Sequence, residues 1–179
     1  MGLEGYFTDQ EIEFAKGVVL KRYTESRKQN LEHNPPLKDT DDPLKNEFEG
    51  ALAETAFAKE AKIPYTGDIN TFKNPDVGFT QQKGTTVEWG SLIVRPNDKG
   101  EDAYVLVILL PNNKFRIVGW LRGKDARRDE WIKNPDNRGA AHFVHQRDLH
   151  PISSKQDIDD LVMREGLRFE REAIQRETE

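Results

Sequence analysis

Cysteine is absent from these 179 residues. No disulfide and no thiolate-held zinc or iron–sulfur centre can form, and the composition fits a reducing cytoplasm. Long apolar runs are missing as well: the longest, Tyr104 to Pro111, suits a buried strand and is far too short to span a membrane. The opening Met1-Gly2-Leu3-Glu4 has no basic region followed by an apolar stretch, so no secretory signal is expected, and no membrane partner. Glycine-rich phosphate loops, the serine nucleophile elbow and the dinucleotide fingerprint are also lacking, which removes several common enzyme classes.

Charge is plentiful but unevenly placed. Charged residues make up 33% and hydrophobic ones 35%, with a net charge of −5 and a pI near 5.5. That total weighs mildly against a protein that lives on nucleic acid, which usually shows a basic face. Residues 121–147, however, hold seven basic residues against four acidic ones, whereas 148–179 hold five against nine. The chain is polarised, and its basic segment could face phosphate.

Thr8-Asp9-Gln10-Glu11 reads as a capping box, followed by Ile12, Ala15, Val19 and Tyr23 at helical spacing, so a helix is expected over about 8–30. His33 to Pro43 contains three prolines and reads as a linker. Asp42-Pro43 then starts a second helix, which Phe48, Ala51, Leu52, Thr55 and Ala58 continue to about Lys62. Beyond it the period becomes strand-like. Strands are expected at Asp76–Thr80, Thr85–Arg95, Ala103–Leu110 and Lys114–Leu121, with hairpin turns at Gln81–Gly84 and Pro111–Asn113. A short helix at Lys124–Trp131, a strand at Ala141–His145 and a helix capped by Ser154 complete the chain. The expected class is α+β: an antiparallel or mixed sheet packed by the second helix and flanked by terminal helices.

Three carboxylates in order stand out. Glu54 sits in Gly50-Ala51-Leu52-Ala53-Glu54-Thr55-Ala56-Phe57-Ala58, Asp76 opens Asp76-Val77-Gly78-Phe79, and Glu88 lies in Thr86-Val87-Glu88-Trp89. The helical neighbours of Glu54 are small or apolar, so the carboxylate projects from a stripe expected to face the sheet; it either binds a cation or stands at the stripe's edge, reaching water or pairing with Arg or Lys. Asp76 alone reads as a loop-ending residue, and Glu88 alone as a solvated edge residue. Brought together, the three would offer the oxygen ligands that a hard divalent cation requires. His142 and His145 sit three apart in an expected strand and point to opposite faces, so zinc is not expected there. Trp89 and Trp120 are expected in the core, with base stacking the alternative for the tryptophans.

These segments resemble the restriction-endonuclease-like superfamily of PD-(D/E)XK nucleases, in its small phage-type members. The match runs through Gly50 to Glu54, Asp76-Val77-Gly78, Leu92-Ile93-Val94-Arg95, Tyr104-Val105-Leu106-Val107, Gly119 to Ala126, Phe143-Val144 and Leu149-His150-Pro151-Ile152. It divides the chain into an N-terminal helix and linker (1–45), a nuclease-like core (46–152) and an acidic C-terminal helix (153–179). The resemblance implies metal-dependent hydrolysis of DNA, with Asp76 and Glu88 holding Mg²⁺ or Mn²⁺ and Glu54 completing the shell directly or through water. Arg122, Lys124, Arg127 and Arg128 would grip the phosphate backbone, unless they serve only as a solvated helix paired to nearby acids. A phage origin would place the protein in the host cytoplasm.

The family expects a lysine one spacer beyond the second acid, and Gly90 stands there after Glu88. Lys83 or Arg95 would then have to supply the cation that steadies developing charge. The alternative is a nuclease scaffold without the chemistry, acting as a nucleic-acid-binding or protein-interaction module. A third reading places Ile12, Ala15 and Val19 against another subunit, giving a homodimer through the terminal helices.

Overall fold

The computed structural model describes residues 2–28, 43–65, 67, 77–135, 137 and 139–179. In chain order the elements are β1 (Leu3–Tyr6), α1 (Asp9–Lys28), α2 (Pro43–Ala61), β2 (Thr80–Thr85), β3 (Leu92–Val94) and β4 (Ala103–Leu110). They continue with β5 (Lys114–Arg122), β6 (Ile132–Lys133), β7 (Ala141–Val144), β8 (His150–Pro151) and α3 (Lys155–Thr178). The main sheet runs β1-β5-β4-β2 with β8 also on β5, and a second sheet runs β3-β7-β6. The class is α+β with a mixed sheet. The linker expected at His33–Pro43 lies almost entirely outside the described residues.

Two cores sit on the two faces of the main sheet. On one face Val105, Val107, Phe115 and Ile117 meet Ala15 and Val19 of α1, Ala53 and Phe57 of α2, and Ile158 and Leu161 of α3. On the other, Tyr104, Leu106 and Ile108 meet Leu92, Val94 and Val144 of the small sheet. The continuous apolar run of β4 follows from this, since a strand covered on both sides cannot alternate with polar residues. Residues 51–58 of α2 are buried all round, and the many alanines let α1 and the sheet approach its backbone closely. Ala15 and Val19, considered above as a subunit contact, are packed inside the molecule's own core.

Several expected elements change form. Gln81–Gly84, read as a hairpin turn, lies within β2, which runs parallel to β4 with Lys83 opposite Leu106. The sheet is therefore mixed and not a simple antiparallel meander. β2 is an edge strand, and edges carry polar and charged residues that blunt pairing with other chains. Gly84 is explained by closeness of backbones: a Cβ there would sit 2.6 Å from the carbonyl oxygen of Glu49 on α2. The strand expected over Thr85–Arg95 shrinks to Leu92–Val94, because Thr86–Gly90 forms a turn closed by Gly90 N–H donating to the Val87 carbonyl at 2.9 Å. Val77 and Thr80 close another tight turn, with Gly78 and Phe79 both at positive φ, in place of a strand to Thr80. The expected helix at Lys124–Trp131 is two single 3₁₀ turns, Gly123–Ala126 and Asp129–Trp131, with Arg128 extended between them.

The Thr8 capping box forms, and Ser154 caps α3 in a second box completed by Asp157. At the start of α1, Thr8 N–H donates to the Glu11 carboxylate at 2.7 Å and Glu11 N–H to the Thr8 hydroxyl at 3.1 Å. Partial burial pushes the Glu11 carboxyl up, but the Thr8 N–H and the Lys59 ammonium outweigh it and hold it below the usual glutamate range. A depressed carboxyl stabilises the fold above its unfolded pKa and loses that contribution as pH falls through the folded value. Glu11→Gln is therefore expected to cost about 1 kcal/mol at pH 7, with the difference vanishing below the ordinary glutamate range, as urea titrations at pH 7 and pH 3 would show.

Candidate functional site

Glu54 is the first of the three carboxylates, and the structure gives it a full set of partners. It leaves α2 on the side facing α1, where Arg22 donates from Nη1 to Oε1 at 3.1 Å and from Nη2 to Oε2 at 2.8 Å. The Tyr65 hydroxyl also donates to Oε2. Only 5% of Glu54 is exposed. A two-pronged guanidinium and a phenol satisfy the charge of the buried carboxylate without a metal. Of the readings open in the sequence, this arrangement is the pairing with Arg, on the side of α2 that faces α1.

Glu88 goes elsewhere. It sits in the exposed Thr86–Gly90 turn, with its carboxylate 3.9 Å from Arg116 of β5 and more than half open to water. The turn itself is tightly held: Arg116 donates to the Glu88 carbonyl at 3.1 Å, and the Gln146 amide donates to the carbonyls of Glu88 and Gly90 at 3.0 Å. Trp89, expected in the core, is 78% exposed at the tip, with the Arg116 guanidinium 5.6 Å from its ring centre. Trp120 is buried as expected. Asp76 lies outside the described residues. Among the described residues, which do not include Asp76, no three His, Asp or Glu side chains gather where a metal ion could sit.

The main sheet separates Lys83, one of the cations expected to help, from Glu54. Thr80, Gln82 and Gly84 face α2, so alternation turns Gln81 and Lys83 to the opposite face, away from Glu54. Lys83 bonds the Asp98 carboxylate at 3.1 Å and lies 5.4 Å from the ring centre of Tyr104. Burial, aided by the Asp98 and Asp102 carboxylates, pushes the Tyr104 hydroxyl above its ordinary range. Arg95 follows β3 in the second sheet, and its N–H donates to Asp98 at 2.8 Å. Gln81 and Lys83 stand one spacer apart on a true strand. Both were expected in a hairpin turn, where they would not share a face.

Of the four expected phosphate-gripping residues, Arg122 has an internal task. It holds Glu165 of α3 through Nη2 at 2.6 Å and Nη1 at 3.3 Å. Arg168 holds the same carboxylate at 2.6 Å and reaches Asp102 at 3.3 Å, which also accepts from Gln81 at 3.4 Å. Glu165 and Asp102 are both buried, so this network clamps α3 across the end of the sheet. Composition gave no hint of it, since Glu165 lies in the acidic C-terminal helix.

Lys124, Arg127 and Arg128 are exposed. Arg127 props the Pro96–Asp98 loop by donating to the carbonyls of Pro96 and Asp98. Lys124 and Arg128 keep their charge near water, with only loose contacts to Glu101 at 3.7 Å and Glu130 at 3.6 Å. Arg128 lies over the buried Trp131 ring at 4.9 Å. Arg138, part of the same basic segment, is outside the described residues. Among the described residues no helix is long and apolar enough to cross a membrane. No family model matches the chain, and comparison with curated proteins and with solved structures returned no match.

Proposed function

We propose that this protein binds nucleic acid through its basic turns, on a core that resembles the restriction-endonuclease-like fold, without the metal-dependent cleavage that the resemblance implies. The observation that carries the reading is the contrast between Glu54 and the basic turns. Glu54 has both oxygens engaged by Arg22 and Tyr65. Lys124 projects from the first of the two turns and Arg128 from the extended link between them, their side chains 58% and 65% exposed and only loosely countered by acids. Exposed ion pairs of this kind exchange cheaply for phosphate, because each is worth less than about 1 kcal/mol.

Fluorescence anisotropy with single-stranded and duplex DNA across a salt series tests it. Binding is expected to weaken as salt rises, and Lys124→Glu with Arg128→Glu is expected to lower affinity at least tenfold near 50 mM salt. No salt-dependent binding to either DNA would sink the proposal.

A second reading, a metal-dependent endonuclease, draws on one observation: β2 starts four residues after Asp76 and presents Gln81 and Lys83 on one face. Incubating linear, supercoiled and single-stranded DNA with Mg²⁺ or Mn²⁺ separates the two. Cutting that disappears in Asp76→Ala would establish the enzyme and displace the binding reading.

A further inference from the structure

The turn that carries Trp89 into water is held from several sides. Gly90 N–H closes it on the Val87 carbonyl, and Val87 N–H donates to the Thr85 hydroxyl at 3.1 Å. Arg116 and Gln146 both donate to the Glu88 carbonyl. A large ring that is 78% exposed on so fixed a turn is held in place for a contact outside the chain. Arg116, only 8% exposed, lies against one face of the indole, and the opposite face is open. A flat group can stack there, and the cation behind the ring draws electron density away from that face, which suits an electron-rich ring.

The surroundings fit a nucleobase better than a protein partner. A protein interface needs a core of several apolar side chains, whereas Trp89 has Val87 beside it and exposed Thr86 and Glu88 around it. A base needs one aromatic face and a charged track for the phosphates. The small sheet supplies the link between the two. Its strand β6 follows directly on the second basic turn, and β7, paired with β6, runs from Ala141 toward Gln146, which pins the Trp89 turn. Those five residues of extended chain span about 17 Å, a few nucleotides. Leu92 and Val144 face the main sheet, so alternation turns their neighbours Ile93 and Phe143, register partners, to the outside. Lys133 at the end of β6 is exposed. Acids are interleaved along the way: Asp125, Asp129 and Glu130 among the basic turns, and Glu88 beside Trp89. Charge alone therefore holds a strand weakly, and stacking has to supply the rest.

We propose that the open face of Trp89 stacks an unpaired base of a single nucleic-acid strand whose phosphates reach Lys124 and Arg128 along the small sheet. The proposal rests on the nucleic-acid reading above and adds the form of the partner. In a duplex the bases are stacked on one another and offer Trp89 no free face.

Fluorescence anisotropy tests it with one labelled sequence of about 12 nucleotides, prepared as single-stranded DNA, as RNA, as duplex DNA and as an abasic DNA chain. Trp89→Ala is expected to weaken single-strand binding at least fivefold, with Trp89→Phe in between, and to leave duplex and abasic binding unchanged. Its salt slope is expected to match that of the unmodified protein, whereas Lys124→Glu with Arg128→Glu flattens the slope. The tighter of the DNA and RNA strands identifies the source of the base. Trp120 and Trp131 are buried, so acrylamide quenching of tryptophan emission reads Trp89 directly, and a bound single strand is expected to shield it. Salt-dependent binding that is equal for all four forms and indifferent to Trp89→Ala would overturn the stacking proposal and leave the basic turns as the interface. Shielding of Trp89 by raised protein concentration without nucleic acid would assign the ring to a protein contact and overturn it as well. No binding to any form would overturn both readings.

Discussion

Arg22→Met is expected to lower the stability of the protein by about 3 kcal/mol, because it strands the Glu54 carboxylate between α1 and α2. For a chain of this size that is a fall in Tm of roughly 6–12 °C. The double variant Arg22→Met with Glu54→Leu is expected to regain most of the loss, since two apolar side chains replace a buried pair with no charge left over. Thermal unfolding of the three proteins reads the effect directly. The comparison also decides what Glu54 is for. A carboxylate kept for metal chemistry could be changed to Gln with little loss of fold and a total loss of activity. A carboxylate kept for docking two helices shows the reverse, with Glu54→Gln weakening the fold. If Arg22→Met proves as stable as the unmodified chain, the docking role is lost.

Glu165→Ala is expected to be at least as damaging, at about 3–5 kcal/mol, although the residue sits in the most acidic part of the chain. The carboxylate is fully buried and holds both Arg122 and Arg168, so its loss leaves two guanidinium groups at the sheet end with too few acceptors. Glu172→Ala provides the control. It shares Arg168 at 2.9 Å, but its side chain is 41% exposed, and its removal is expected to cost under about 1 kcal/mol. Urea unfolding separates the two variants, and hydrogen exchange along α3 shows whether the helix has let go of the sheet. Equal costs for the two glutamates would remove the special role assigned to Glu165.

What the sequence disclosed was mostly local. The boxes at Thr8 and Ser154, the start of α2 at Pro43, and the strands β4 and β5 with the Asn112-Asn113 turn follow from neighbours a few residues apart. What stayed hidden depends on distant partners. The strand β2 is polar, and it exists because β4 accepts it in parallel some twenty residues later. Trp89 carries no local sign that its turn is pinned outward by Gln146, which lies 58 residues from Glu88. Glu54 was rightly singled out as a buried carboxylate, but its partner Arg22 is 32 residues away on another helix. A pattern of residue types can show that a charge must be answered. It cannot show which of 27 basic residues answers it.

The pairing of β1 with β5 has a consequence for the order of assembly. Leu3 aligns with Ile117, so the outer strand at that edge of the main sheet waits for a partner made more than 100 residues later. The hairpin of β4 and β5 closes over three residues and can form at once. β1 must cross a large loop, and closing such a loop carries an entropic cost that only the finished sheet repays. While it waits, Glu4 and Gly5 make β1 a poor template for other strands. β1 precedes every other strand of the main sheet in the chain and is thus among the last to be fitted, protected from misassembly by how little it offers on its own.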